Sequence, residues 1–140
     1  MLSRYLEIQK AALFSRDQLV AFERRLAHID LCDANVVVTG SYARQEASAV
    51  SDFDYFLLVP EGVDEQTVGR ICDDVRSAVA SKIGKLPSEN GAFGSAVRFG
   101  ELGLNIGGNE DDNKRITRRI LFLTEGKSIG NSTLFKNQRE

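Results

Sequence analysis

Asp52 and Asp54 are the two residues of this chain whose type and spacing best suit metal chemistry. They flank Phe53 at the start of a mostly apolar stretch, residues 53–59. On a β-strand, residues i and i+2 point to the same face, about 6.6 Å apart along the chain. The two carboxylates would then face the same cations while Phe53 faces the core. Because carboxylate oxygens are the ligands that Mg²⁺ prefers, the pair predicts a metal site.

The same pair also has a structural interpretation. A Ser-Asp-x-Asp segment is common in polar turns before strands, where an Asp side chain accepts a local backbone N–H. The Gly-Ser step at Gly40 and Ser41, twelve residues before Asp52, favours the metal site. A strand, a Gly-Ser turn, a polar helix and the Asp-x-Asp pair are expected there in that order.

Gly40, Ser41 and Arg44 are candidates for binding phosphate. Gly40 has no Cβ, so an anion can approach the main chain. The turn is predicted to open a short helix whose first N–H groups have no intrahelical partner. Ser41 adds a hydroxyl donor, and Arg44, one turn later, offers a planar set of donors. An arginine on a short helix is also commonly just solvated.

The segment from Gly40 to Arg44 (Gly-Ser-Tyr-Ala-Arg), followed by Ser51 to Asp54 (Ser-Asp-Phe-Asp), resembles the signature of the polymerase β-like nucleotidyltransferase superfamily, in its small bacterial form. The resemblance implies that the Gly-Ser turn receives the nucleotide phosphates and that the two aspartates hold two Mg²⁺ ions. It implies transfer of a nucleoside monophosphate, from ATP by default, to a hydroxyl acceptor that the sequence does not specify.

The resemblance also implies a third carboxylate, supplied by the strand after the Asp-x-Asp pair. Glu101, at the start of a candidate strand, is our choice for this third metal ligand, and the alternative is a solvated turn residue. No acid stands at the expected place within that strand. This departure keeps a second hypothesis open, in which the chain is a non-catalytic binding protein of the same fold, or an antitoxin-like protein that acts through a partner.

Composition and charge limit the partners. The 140 residues, 42% of them hydrophobic, suit one domain spanning 1–140. A net charge of −2 and a pI near 5.5 argue against a duplex-DNA surface. No apolar run approaches the ~20 residues of a membrane span, so we expect a cytoplasmic protein. The expected partners are a nucleoside triphosphate and either a partner protein or a second copy of the chain.

The periodicity predicts an α/β (α+β) fold, with a mixed nucleotidyltransferase-like sheet core flanked by helices. We divide the chain into N-terminal helices over 1–31, a sheet core over 36–108 and C-terminal helices over 112–140. Leucines and other apolar residues at helical spacing predict an N-terminal helical pair. Ser15 and Gln18 match a capping box, which predicts a break near residue 15.

Within the core, the clearest elements are strands 36–39 and 53–59, both apolar enough for burial on both faces, and a helix over 64–83 that stops at Gly84. A strand or hairpin is predicted over 93–99 and 102–106. Beyond it we predict a helix over 113–125 that ends at Gly126, and a last short helix from residue 132.

Four cations cluster on the predicted helix 113–125: Lys114, Arg115, Arg118 and Arg119. They could bind a nucleoside triphosphate or an acidic acceptor. They could instead form a basic face that pairs with the acidic residues 110–112, which would also cap the helix.

Overall fold

The structure is a computed structural model that describes residues 2–87, 91–130, 135–137 and 140, without the side chains of 2–4. The helices and strands are α1 (Leu2–Leu26), β1 (Asn35–Val38), α2 (Gly40–Ala43), β2 (Tyr55–Val59), α3 (Glu65–Lys82), β3 (Ala96–Arg98), α4 (Phe99–Leu102), α5 (Asn113–Thr124) and β4 (Lys127–Gly130). Among these described elements, no helix combines the length and the apolar character needed to cross a membrane.

The four strands form one mixed sheet in the order β3-β2-β1-β4. β1 lies between β2 and β4 and is antiparallel to both, whereas β2 and β3 are parallel. Helices flank the sheet, so the predicted fold class is confirmed.

The two central strands separate two layers of core, as their unbroken hydrophobicity predicted. Every residue of β1 and β2 is buried. Alternate side chains point to opposite faces. One face packs on α1 and α3 through residues such as Phe22 and Ile71. The other face packs on α4 and α5 through Leu102 and Phe122.

The prediction of an N-terminal helical pair is wrong, since α1 runs without a break from Leu2 to Leu26. The hydroxyl of Ser15 does not cap a new helix. It donates to the carbonyl of Ala11 at 2.7 Å and accepts the backbone N–H of Ala47 at 3.0 Å. Ser15 is fully buried, so the polar residue that suggested a helix start is instead a tertiary contact to the loop before Asp52.

The helix predicted over 64–83 is confirmed as α3. Asp64 caps its first turn by accepting the N–H of Thr67 at 2.9 Å. Ile71, Val75, Ala78 and Val79 are its buried residues, and Gly84 follows the last turn with a φ of +85°. The apolar spacing and the terminal glycine therefore identified this helix correctly.

The region after α3 differs from the prediction. Only Ala96–Arg98 pair as a strand within 93–99, and the strand expected over 102–106 is wrong. The chain instead forms α4 and a series of turns, in which Asn105 has a φ of +56° and Gly107 a φ of +72°. These left-handed conformations are incompatible with an extended strand.

The C-terminal segment supplies a helix as predicted and also a strand that the sequence did not indicate. α5 ends at Thr124, before Gly126, and Asp112 caps its start by accepting the N–H of Arg115 at 2.8 Å. β4 then adds the edge next to β1. Residues 135–137 are helical, and the rest of the helix predicted from 132 lies outside the described residues, apart from residue 140.

Candidate active site

Two strand registers bring acids to both sides of Gly40. β1 pairs with β2 through Val38 and Tyr55, and with β4 through Val38 and Lys127. Continuing these antiparallel registers past Val38 sets Asp54 beside the residue before Gly40, and Glu125 beside Gly40 itself. The turn after the central strand is therefore flanked by a carboxylate from each neighbouring strand.

Phe53 anchors the Asp-x-Asp segment. It is fully buried, as predicted, and its ring packs against the rings of Phe22 and Tyr42, each at a centroid distance of 5.0 Å. Asp52 is exposed and Asp54 is half-buried, and both precede β2 instead of lying within it. The buried ring between them fixes the backbone from which the two carboxylates project.

The backbone conformation of Gly40 favours glycine, and a side chain there would crowd Asp54. A Cβ built on Gly40 would lie 2.9 Å from Asp54 Oδ2, and the Gly40 φ of +66° is a conformation that L-residues rarely adopt. The predicted turn and the second predicted aspartate are thus in direct proximity.

The electrostatics around Asp54 are those of a crowded group of acids. Burial raises the pKa of Asp54, the negative charge of Asp52 raises this pKa further, and so does that of Glu125, whereas Arg44 lowers it. A raised carboxyl pKa means that the ionised form is short of compensating positive charge. A cation bound here would relieve that shortage.

Glu125 binds two of the groups that the sequence assigned to phosphate. The N–H of Gly40 donates to Glu125 Oε1 at 2.8 Å. Nη1 of Arg44 donates to Oε1 at 3.2 Å and to Oε2 at 3.0 Å. Arg44 also contacts Glu46 through Nε at 2.9 Å, so its guanidinium is paired. Ser41 lies next to Gly40 in α2.

The structure does not bring Glu101 to this site. β3 is parallel to β2 with Arg98 opposite Val59, so Glu101, which follows Arg98 in α4, lies at the far end of β2 from Asp54. β2 alone spans about 13 Å at ~3.3 Å per residue. Glu101 Oε2 instead accepts the N–H of Arg98 at 3.1 Å, which makes it a local capping residue.

Sequence reasoning missed Glu125, and no local signal marks it. The residue follows a helix and precedes Lys127–Gly130, a short strand with a glycine at its end. The neighbouring Gly126 is buried, and a Cβ on it would lie 3.1 Å from Val37 Cγ1. This close contact with β1 holds the end of α5 against the sheet, and only the β1–β4 pairing reveals where Glu125 lies.

The basic cluster of α5 is largely used to build the fold. Arg118 is 9% exposed and donates to the carbonyl of Ala92 at 2.8 Å and to Ser95 Oγ at 2.5 Å. Arg119 forms an ion pair with Asp111 at 2.6 Å. Arg115 donates to the carbonyl of Glu110 at 3.1 Å. The Arg119–Asp111 ion pair agrees with the alternative of a basic face that pairs with residues 110–112, whereas Arg118 is buried and bonds outside that segment.

Asp52 and Asp54 supply two carboxylate ligands for Mg²⁺, which is only part of a full coordination shell. In the part of the chain that the structure describes, no group of three His, Cys, Asp or Glu residues is arranged to hold one metal ion. Mg²⁺ commonly binds one or two carboxylates and takes its other ligands from substrate phosphates and water. Asp52 and Asp54, with an excess of negative charge around Asp54, fit that requirement.

Comparison with known proteins found a match to a protein family. The family model described as nucleotidyltransferase domain matches residues 19–88, half of the 140-residue chain. The match covers Gly40, Asp52 and Asp54 and ends before α5 and Glu125. Neither the search of curated proteins nor that of solved structures found a match. The matched family supports a nucleotidyl-transfer function in general terms. The chain belongs to the nucleotidyltransferase domain family, as a polymerase β-like nucleotidyltransferase.

Proposed function

We propose that this protein transfers a nucleoside monophosphate from a nucleoside triphosphate, ATP by default, to a hydroxyl group of an acceptor, with Mg²⁺ held by Asp52 and Asp54. The observation that carries the proposal is the contact between the two motif halves, in which Asp54 Oδ2 occupies the space that a Gly40 side chain would need. A phosphate at Gly40 and a cation at Asp54 would be neighbours in this arrangement.

The chain's own residues act mainly by binding and orienting. The backbone at Gly40 and the hydroxyl of Ser41 receive phosphate oxygens, and Arg44 adds positive charge to the same group. Mg²⁺ at Asp52 and Asp54 would supply charge neutralisation of the triphosphate and acidify the attacking hydroxyl. Phe53 stays buried and keeps both aspartates at a fixed distance from the turn.

In the reaction, the acceptor oxygen forms a bond to the α-phosphorus. The bond between that phosphorus and the oxygen bridging to the β-phosphorus breaks, and pyrophosphate leaves. The hydroxyl proton passes to water. The protein contributes by positioning the in-line groups and by balancing the charge that develops on the phosphoryl oxygens.

The test is a thermal-stability measurement with each of the four nucleoside triphosphates, with and without Mg²⁺. A ligand that binds the folded state stabilises it by about 2.7 kcal/mol at 100 times its Kd, which is a Tm rise of about 8 °C for a domain of this size. We expect a Mg²⁺-dependent rise, largest with ATP, that is absent in Asp52→Asn/Asp54→Asn.

The matched control is Asp17→Asn/Asp73→Asn, which removes two carboxylates from exposed positions on α1 and α3. This variant changes the net charge equally and should keep the full nucleotide response. If wild type responds to no nucleotide, or the control loses the response as well, the donor site is not where we place it. No response in wild type would favour the second hypothesis, a non-catalytic protein of the same fold or one that acts through a partner.

A further inference from the structure

The side chain of Glu125 is an anion already bound where the proposed function needs a phosphate. One carboxylate takes the Gly40 N–H at 2.8 Å and the Arg44 guanidinium at 3.0 Å. The side chain of Glu125 is only 19% exposed, and Glu125 lies outside the segment 19–88 that matches the family. The structure thus shows that the N–H groups of Gly40 and Arg44 can bind an anion, and that this anion is the carboxylate of Glu125.

We propose that the Glu125 carboxylate competes with ligands for the phosphate site and thereby sets its specificity. It excludes anions that offer a single phosphate group and admits polyphosphates. This inference rests on the proposed function, because it assumes that the Gly40 and Arg44 donors receive phosphate. Glu125 selects by the number of phosphate groups a ligand can bring, since the ligand must displace a carboxylate that is part of the same chain.

The selection follows from charge and effective concentration. A tethered carboxylate acts at an effective concentration in the millimolar range, so an anion that offers one phosphate gains little by replacing it. A di- or triphosphate carries more charge and more acceptor oxygens, and can engage Gly40, Arg44 and further donors at once. Only such a ligand gains enough contact to displace Glu125.

The displacement needs only a side-chain rotation. The backbone of Glu125 is held where α5 ends, because its N–H donates to the carbonyl of Leu121 at 3.1 Å. Gly126, packed against Val37, fixes the next residue. The Glu125 carboxylate can therefore leave Gly40 and Arg44 without any change in the sheet. The negative charge of Asp54 also repels the Glu125 carboxylate.

The experiment is calorimetric titration with AMP and with tripolyphosphate at one fixed Mg²⁺ concentration, because the proposed function requires Mg²⁺ for phosphate binding beside Asp52 and Asp54. The variants are Glu125→Gln, Glu125→Ala and the control Glu46→Gln. Glu46 also pairs with Arg44, yet its side chain is 63% exposed and its carboxylate accepts from Arg44 Nε, whereas the Gly40 N–H donates to Glu125. Thermal melting of each variant without ligand establishes that it is folded.

We expect AMP to bind Glu125→Ala about tenfold more tightly than wild type, the equivalent of one charge-assisted hydrogen bond released to the ligand. Tripolyphosphate affinity should rise less, so the preference of wild type for tripolyphosphate over AMP shrinks. Glu125→Gln should fall between, because its amide oxygen can still accept from Gly40. Glu46→Gln should change AMP affinity by less than about threefold.

Two results would overturn the inference, and they differ in what they say about the proposed function. If tripolyphosphate binds wild type but both Glu125 variants keep the wild-type preference, Glu125 is no competitor and the phosphate site stands. If tripolyphosphate binds neither wild type nor the Glu125 variants, the phosphate site itself is refuted and the inference falls with it.

Discussion

The backbone N–H of Thr39 donates to the carbonyl of Asp54 at 2.9 Å. This hydrogen bond joins the residue directly before the Gly-Ser turn to the second aspartate of the Asp-x-Asp pair, fifteen positions later in the chain. Thr39 is fully buried, so the bond is shielded from water. It extends the β1–β2 ladder to the point where phosphate and metal would meet.

Gly40→Ala should impair both stability and nucleotide binding. The new Cβ would lie 2.9 Å from Asp54 Oδ2, and the positive φ adds strain of about 1–2 kcal/mol. We expect the free energy of unfolding to fall by about that amount in urea titrations, and the Mg²⁺-dependent nucleotide response to be lost. Gly69→Ala is the control, since nothing lies within 4 Å of its Cβ and alanine favours the helix by about 1 kcal/mol. Equal behaviour of the two variants would contradict the close approach.

Asp54→Asn should stabilise the folded protein at neutral pH while abolishing nucleotide binding. Because burial and Asp52 raise the pKa of Asp54 above its ordinary 3.8, the ionised form is less favourable in the folded state than in the unfolded state. The penalty is absent in acid and develops as the pH rises through the unfolded and then the folded pKa. Urea titrations should show a larger stabilisation by Asp54→Asn at pH 7 than at pH 4.

Asp64→Asn should change the stability of the fold at neutral pH in the opposite direction to Asp54→Asn. The backbone N–H of Thr67 lowers the pKa of Asp64, so its ionised form favours folding. That contribution is present at neutral pH and is lost as the pH falls through the unfolded and then the folded pKa. Asp64→Asn should therefore destabilise more at pH 7 than at pH 4, and parallel pH profiles for the two variants would show that Asp54 is not crowded by acids.

Ser15→Ala should destabilise the protein by about 1–3 kcal/mol, because it leaves the buried N–H of Ala47 without its acceptor. The comparison is Ser77→Ala, an exposed position on α3, where a change within about 0.5 kcal/mol is expected. Chemical denaturation measures both. If Ser15→Ala were as mild as Ser77→Ala, the contact between α1 and the loop before Asp52 would have no structural weight.

Arg118→Lys should separate folding from substrate binding. Lysine cannot reproduce the two donors that Arg118 directs to Ala92 and Ser95, so we expect a loss of about 2 kcal/mol in stability. The Kd for nucleotide, measured by titration well below the melting temperature, should stay within twofold of wild type. A selective loss of nucleotide affinity would revive the interpretation in which the α5 cations bind the triphosphate.

The sequence predicted those parts of the fold whose signal is local. α3 is readable because its buried apolar residues recur at helical spacing and a glycine follows. β1 and β2 were predicted because every residue in them is buried and all but Asn35 are hydrophobic, so both strands stand out as nearly continuous apolar runs. The Gly40, Asp52 and Asp54 positions come from a compact motif, and the structure sets Gly40 beside Asp54.

The parts that escaped prediction depend on contacts between distant segments. Ser15 carries the pattern of a helix cap, yet its hydroxyl is committed to Ala47, which no window around residue 15 includes. Glu125 enters the site only through the pairing of β4 with β1, and Glu101 was chosen because a strand was expected where α4 forms. In each case a nonlocal hydrogen bond or pairing decided the outcome.

The edge position of β4 has a consequence for how this site can diverge. Asp54 is half-buried between the buried aromatic residues Phe53 and Tyr55 and lies against Gly40, so a larger residue at this position would disturb the core as well as the chemistry. Glu125 lies between the end of α5 and β4, an edge strand that contributes one buried residue, Ile129. Replacing the acid at 125 would therefore remove the anion that now contacts Gly40 and Arg44 while leaving the buried apolar side chains of the sheet in place, so the proposed ligand preference can change during evolution while the fold is kept.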